Sequence, residues 1–140
     1  MRCVRIGIVG LGYPSRQEGW TAKLHAPVPS ITWSRYLPEI AKNPSADLVA
    51  ICDRSIEKKK RKVQEAYGVR QFYSNFEEMI EKADVDAVII NTPHKLHAQM
   101  AVEAAESGRH VLIEKPLATS LEEAKKVVRA ARRNNVKLMA

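Results

Sequence analysis

The sequence predicts an α/β fold, a doubly wound parallel sheet of six strands in the order 3-2-1-4-5-6. Short apolar, β-branched runs alternate along the chain with segments whose apolar residues recur at helical spacing. Runs of that kind suit strands covered on both faces. Glycines close strands and helices at the points where the chain must turn. Strand and helix in strict alternation give right-handed crossovers and helices on both faces of a parallel sheet.

The first strand is the run Val4-Arg5-Ile6-Gly7-Ile8-Val9, which ends in Gly10-Leu11-Gly12. Gly10 supplies a tight turn out of the strand. Gly12, without a Cβ, allows close approach of a phosphate at a following helix N-terminus. This G-x-G spacing is half of a dinucleotide-binding fingerprint. An irregular stretch follows from Tyr13 to about Thr32, broken by Pro14, Gly19, Pro27 and Pro29. A helix is expected over Trp33 to Lys42 with Thr32 as cap, and Pro38 either kinks it or detaches its first turn. The second strand is Asp47 to Cys52, with Asp53 at its carboxyl end. Ser55 is placed to cap a helix from Ile56 to Tyr67 that Gly68 ends.

Val69 to Phe72 reads as a short third strand, and Ser74 with Glu77 as a capping box for a helix reaching about Lys82. Ala87 to Asn91 is the fourth strand. Thr92-Pro93 breaks it, and a helix from about Leu96 to Ser107 is stopped by Gly108. His110 to Glu114 is the fifth strand. Ser120 and Glu123 form a second capping box, opening a helix whose apolar face holds Leu121, Ala124, Val127, Val128 and Ala131. Val136 to Met139 begins a sixth strand.

Composition sets the class. The 140 residues are 45% hydrophobic and 28% charged, ordinary values for one folded domain. No apolar run approaches the roughly 20 residues that span a bilayer, and the amino terminus has no signal-peptide layout, so a cytoplasmic protein with no membrane partner is expected. The net charge of +7 raises nucleic acid as a partner. Much of the excess, however, lies in Lys58, Lys59, Lys60, Arg61 and Lys62 and in Arg129, Arg132 and Arg133, on two amphipathic helices without aromatic interleaving. That is the pattern of a solvated helix face and argues against nucleic acid. Cys3 begins one strand and Cys52 ends its parallel neighbour, which leaves them at opposite edges of the sheet and excludes a disulfide.

In the order 3-2-1-4-5-6 the ligand crevice lies at the carboxyl ends of the strands, where the order reverses between the first and the fourth. The marked residues collect there: Gly10 and Gly12, then Asp53, then Asn91-Thr92-Pro93, then Glu114-Lys115-Pro116. A carboxylate at the position of Asp53 can accept hydrogen bonds from the ribose hydroxyls of an adenosine and repels a 2′-phosphate, which favours NAD. Arg54 beside it and Lys58 one turn into the next helix leave NADP possible.

Four segments together resemble the Gfo/Idh/MocA family of glucose-fructose oxidoreductase and inositol dehydrogenase. They are Ile6-Gly7-Ile8-Val9-Gly10-Leu11-Gly12, Leu48-Val49-Ala50-Ile51-Cys52-Asp53, Asn91-Thr92-Pro93 with Leu96-His97-Ala98, and Gly108-Arg109-His110-Val111-Leu112-Ile113-Glu114-Lys115-Pro116-Leu117. The resemblance implies a Rossmann dinucleotide-binding domain over residues 1–140. It implies cofactor contacts at Gly10, Leu11, Gly12, Asp53, Arg54, Asn91, Thr92, Pro93, His97, Glu114, Lys115 and Pro116. It places Lys115 beside the nicotinamide as the catalytic residue, bonded to the reacting hydroxyl of a small-molecule substrate, and Pro116 in a peptide that in the family is often cis. His97 would face the cofactor crevice.

Departures from the family are equally specific. Tyr36-Leu37-Pro38 occupies the family's Leu-Pro site, which puts Trp33 where a third glycine is usual, after an insertion at about 13–32. Either the insertion supplies new pyrophosphate donors, through Arg16 or Lys23, or dinucleotide affinity is weak. His94 replaces a common asparagine. His94 and His97 form an H-x-x-H pair with no carboxylate or cysteine placed to complete a metal site, so no metal is expected, and His25 and His110 read as structural or exposed. The family's second domain, which binds substrate and supplies a histidine general base, has no counterpart in these residues. The expected function is therefore the NAD(P)-binding domain of an oxidoreductase acting on a sugar, cyclitol or related hydroxyl substrate, inactive on its own. A stand-alone nicotinamide-binding sensor or subunit, and a structural Rossmann domain without dinucleotide, are the alternatives. Val136, Leu138 and Met139 on an uncovered edge strand point to a homo-oligomer.

Overall fold

The computed structural model describes residues 3–11 and 36–140. Gly12, Arg16, Lys23, His25, Thr32, Trp33 and the insertion at about 13–32 lie outside the described residues. Six strands, β1 (Val4–Val9), β2 (Ala46–Cys52), β3 (Gln71–Tyr73), β4 (Ala87–Ile90), β5 (His110–Ile113) and β6 (Leu138–Met139), pair in parallel in the order β3-β2-β1-β4-β5-β6. The helices among the described residues are α1 (Tyr36–Lys42), α2 (Ile56–Tyr67), α3 (Phe76–Lys82), α4 (His97–Glu106, entered through a 3₁₀ turn at His94–Leu96) and α5 (Leu121–Arg133). No helix among them is long and apolar enough to cross a membrane.

Period-two alternation divides the strands between two cores. Val9, Ala50, Cys52, Val88, Ile90, Val111 and Ile113 turn to one face, where α3, α4 and α5 cover them with Met79, Ala101, Ala104 and Val127. Ile8, Leu48, Ile51 and Ile89 turn to the other, under Leu37 and Ile40 of α1 and Ile56 and Val63 of α2. Burial on both faces is why the carboxyl halves of β1, β2, β4 and β5 are apolar without alternation. One irregularity matters to this division. Between Ile6 and Gly7 the register of β1 on β2 slips by a residue, so Val49 is passed over, and Leu48 and Ile51 reach the same face although three apart.

Helix boundaries follow local chemistry, in places other than expected. Pro38 falls in the first turn of α1, where an N–H has no intrahelical partner to lose. Ser55 makes no side-chain cap on α2; its hydroxyl donates instead to Asp53 Oδ1 at 2.7 Å. The cap of α3 is Asn75, not Ser74, and its Oδ1 accepts from Glu78 N at 2.9 Å. An amide carbonyl one residue later fits the orphan N–H group better because Ser74 precedes the helix by one position too many. Ser120 does accept from Glu123 N at 3.2 Å, but the return bond of Glu123 goes to the backbone and hydroxyl of Thr119. That contact holds the Glu123 carboxyl below the usual carboxylate range. Leu121 at the start of α5 is 70% exposed and takes no part in the apolar face assigned to it, whereas Val127 and Ala131 do. Cys3 is exposed and Cys52 buried, and both are free thiols.

Two glycines with positive φ separate conformational strain from steric conflict. Gly68 closes α2 at φ 70° with nothing within 4 Å of a built Cβ. Gly10 sits at φ 82°, and a Cβ there would lie 2.3 Å from the backbone oxygen of Asn91. Gly68→Ala should therefore cost about 1 kcal/mol for the left-handed backbone alone. Gly10→Ala should cost about 3 kcal/mol or more, because the exit of β1 must also move away from that of β4. Denaturant midpoints at a common slope measure both, and equal losses would contradict the assignment of a close approach at Gly10.

Candidate functional site

The hydrogen-bond ladder does not stop where the strands stop. Asp53 N donates to Tyr73 O at 3.0 Å, Gly10 N to Cys52 O at 2.8 Å, Asn91 N to Val9 O at 2.8 Å and Glu114 N to Ile90 O at 2.9 Å. Each donor is the first residue beyond its own strand, and each acceptor is the last residue of the strand beside it. Asp53, Gly10, Asn91 and Glu114 thus stand in one bonded row along the carboxyl edge. The row crosses the point where the strand order reverses, between β1 and β4, which is where open parallel sheets bind ligands.

Asp53 is the most heavily engaged member. Oδ2 accepts from Leu11 N at 2.9 Å, and Oδ1 accepts from Ser55 N at 2.8 Å, Ser55 Oγ at 2.7 Å and Lys59 Nζ at 3.0 Å. Burial alone would raise this carboxyl, but the bonds from Leu11, Ser55 and Lys59 outweigh it and hold the group below its ordinary value. A carboxylate offers about four lone-pair positions, and Oδ2 has one donor, so acceptor capacity remains for a ribose hydroxyl. The residues present fit the adenosine end of a dinucleotide in this respect. Leu11 contributes its N–H to the carboxylate and its side chain to the core. Arg54 is exposed beside it, and Lys58, expected to be the nearby cation, is exposed too; the ammonium on Asp53 belongs to Lys59. The lean of helical side chains toward the N-terminus carries Lys59 back over the first turn of α2 to the strand end.

The other side of the crevice is built from the β4 and β5 exits. Thr92 Oγ1 donates to Met100 Sδ at 3.6 Å, and Pro93 is exposed. Tyr36 on α1 donates its hydroxyl to Glu114 Oε1 at 2.6 Å, joining the helix of the first crossover to the residue preceding Lys115. Lys115 is exposed at the rim, and the Lys115–Pro116 peptide is cis. His97 departs from expectation. It is fully buried rather than open to the crevice, with Nδ1 2.7 Å from Pro116 O and Nε2 2.8 Å from Thr92 O. The ring acts through the backbone, stitching the β4 loop to the β5 loop. Both nitrogens are turned to backbone carbonyl oxygens rather than to the open crevice. His94 is exposed, its ring edge-on to that of His97 at 5.5 Å. Among the described residues no group of three or more His, Cys, Asp or Glu is arranged to hold a metal ion. His110 accepts from Lys137 N at 3.1 Å, on β5 away from this edge.

Two predictions come from this geometry. His97→Phe keeps the volume but removes both ring nitrogens from two carbonyls, and should cost about 2–5 kcal/mol in denaturant unfolding. A loss under about 0.5 kcal/mol would mean that the stitch contributes nothing. Cys52 lies beside Asp53 in the core, where burial and then the neighbouring carboxylates push its thiol up to about 12. It should stay protonated and unreactive at pH 8, so a thiol reagent should titrate only Cys3 in the folded chain and both thiols after denaturation.

Comparison with known proteins bears on the same edge. The family model described as "Oxidoreductase family, NAD-binding Rossmann fold" (GFO_IDH_MocA) matches residues 4–140. Among solved structures, the WlbA dehydrogenase of Bordetella pertussis, in complex with NADH and UDP-GlcNAcA, is 33% identical with a TM-score of 0.74 over 98% of this chain and 36% of its own. The scyllo-inositol dehydrogenase of Lactobacillus casei, with bound NAD(H) and scyllo-inositol, is 27% identical at a TM-score of 0.77 over 99% and 36%. KijD10, a 3-ketoreductase from Actinomadura kijaniata in complex with TDP-benzene and NADP, is 30% identical at a TM-score of 0.78 over 99% and 38%. The chain spans about a third of the length of the curated relatives it matches. With its strand order, its Gly10 turn and its matched residues, the chain belongs to the Gfo/Idh/MocA oxidoreductase family, as that family's NAD-binding Rossmann domain.

Proposed function

We propose that this chain is the cofactor half of an oxidoreductase that moves a hydride between a nicotinamide dinucleotide and a hydroxyl-bearing sugar, cyclitol or related small molecule. The bonded row of Asp53, Gly10, Asn91 and Glu114 along one sheet edge carries the reading. Gly10, Leu11 and Gly12 would lie under the pyrophosphate, Asp53 and Arg54 at the adenosine ribose, and Asn91, Thr92, Pro93, Glu114, Lys115 and Pro116 around the nicotinamide half. His97 serves the same end at one remove, by holding the Thr92 and Pro116 carbonyls. The dinucleotide, when bound, supplies the hydride acceptor or donor.

Lys115 is the catalytic residue of this proposal. Its ammonium, at the rim beyond β5, would donate a hydrogen bond to the substrate oxygen and favour the alkoxide character that develops as hydride leaves the adjacent carbon. Glu114, held by Tyr36, fixes where the Lys115 backbone starts. A proton acceptor within reach of the hydroxyl is also needed, and a second, substrate-binding domain would supply it. The domain assignment is accordingly 1–140 for dinucleotide binding, with the insertion at about 13–32 as an elaboration of the first crossover. Two free thiols suit a reducing cytoplasm.

Fluorescence titration with NADH tests the reading on the chain as it stands. Saturable binding is expected, and Lys115→Ala should leave it within a factor of about two, since a hydrogen bond to the substrate oxygen is formed only in the ternary complex. In a protein that also carries the substrate domain, the same substitution should lower kcat by about 10²–10⁴-fold. No saturable binding at millimolar cofactor would leave a structural Rossmann domain instead.

A further inference from the structure

Resting on that reading of the crevice, we propose that Lys59 sets the cofactor preference and admits the 2′-phosphorylated dinucleotide alongside the unphosphorylated one. An aspartate at the end of the second strand ordinarily excludes a 2′-phosphate by charge and by competition for the ribose hydroxyls. Here that aspartate is not alone. Lys59 Nζ lies 3.0 Å from Asp53 Oδ1, and the two side chains are 12% and 11% exposed, so the ammonium is held on Asp53 rather than roaming in solvent. The pair is neutral, and exposed Arg54 next to Asp53 adds a positive charge at the same rim.

The carboxylate is also committed on the side facing α2. Oδ1 already takes three donors, from Ser55 N, Ser55 Oγ and Lys59 Nζ, which leaves capacity on Oδ2 beside Leu11 N. One ribose hydroxyl can be accepted there. A phosphate on the neighbouring hydroxyl would meet the ammonium of Lys59 in place of a bare carboxylate, a charge-assisted contact that is strong in such a partly enclosed setting.

Parallel titrations of the chain with NADH and NADPH at low and moderate salt test this. The unsubstituted chain should bind both, with dissociation constants within about tenfold of each other, and NADPH binding should weaken more steeply with salt. Lys59→Met should shift the ratio of the two constants by about tenfold against NADPH, and Lys59→Arg should keep the ratio near that of the unsubstituted chain. Asp53→Asn should shift it the opposite way by freeing the ammonium. Binding of NADH with NADPH more than about a hundredfold weaker in the unsubstituted chain would overturn the proposal without touching the cofactor reading. So would an unchanged ratio in Lys59→Met, with both cofactors weakened together, which would leave Lys59 a purely structural partner of Asp53. Failure of the unsubstituted chain to bind either cofactor would overturn both readings at once.

Discussion

The carboxyl edge of the sheet depends on the parallel ladder running one residue past each strand. Because Tyr73 O, Cys52 O, Val9 O and Ile90 O each accept from the first residue beyond a neighbouring strand, the exits of β2, β1, β4 and β5 are level with one another. Backbone groups at a sheet end must find partners or water, and here they find each other. The consequence is a row of side chains whose spacing is that of the strands, about 4.8 Å. In the proposed binding mode a dinucleotide along that row would meet the Asp53 carboxylate at its adenosine end, the Gly10 turn, and Lys115 at its nicotinamide end. Gly10 is the point where the row is tightest, since its Cα faces the Asn91 carbonyl with no room for a Cβ.

Much of this edge was legible in the sequence, for a physical reason. Strands buried on both faces are apolar toward their carboxyl ends, so the polar or glycine residue that follows the last apolar pair marks the strand end, and Asp53, Gly10, Asn91 and Glu114 are those residues. The order 3-2-1-4-5-6 and the helix stop at Gly68 follow from alternation and from the φ a helix end demands. The β1 to β2 register slip was not legible. Leu48 and Ile51 share a face only because a residue is passed over, and nothing in their spacing distinguishes a bulge from a helical turn.

Side-chain partnerships were the harder part. Ser55, Ser74 and Ser120 are each expected to cap a helix, yet only Ser120 accepts the expected bond. A serine hydroxyl has several acceptors and donors in reach at a helix start, and Asp53 competes successfully for that of Ser55. The family resemblance implies that His97 faces the crevice, but two carbonyls converge on it from loops whose approach only the tertiary fold sets. Lys59 had a usable signal. It lies three residues after Ile56 and four before Val63, on the helix face turned to the sheet, and Cβ vectors in a helix tilt toward its N-terminus.

Asp53 joins stability to the site through one carboxylate. Its folded value is depressed, so the stabilisation it provides is fully present above the ordinary carboxylate value of about 3.9 and fades as pH falls through the lower folded one. At neutral pH the Leu11 anchor and the Ser55 and Lys59 bonds are therefore all in place before any ligand arrives. A carboxylate preordered in this way loses no rotamer freedom when a ribose hydroxyl docks, which lowers the cost of binding. The same ordering limits it: with Oδ1 occupied, the proposed adenosine contact would narrow to Oδ2, and the cation that fills the other position would become part of what the crevice distinguishes.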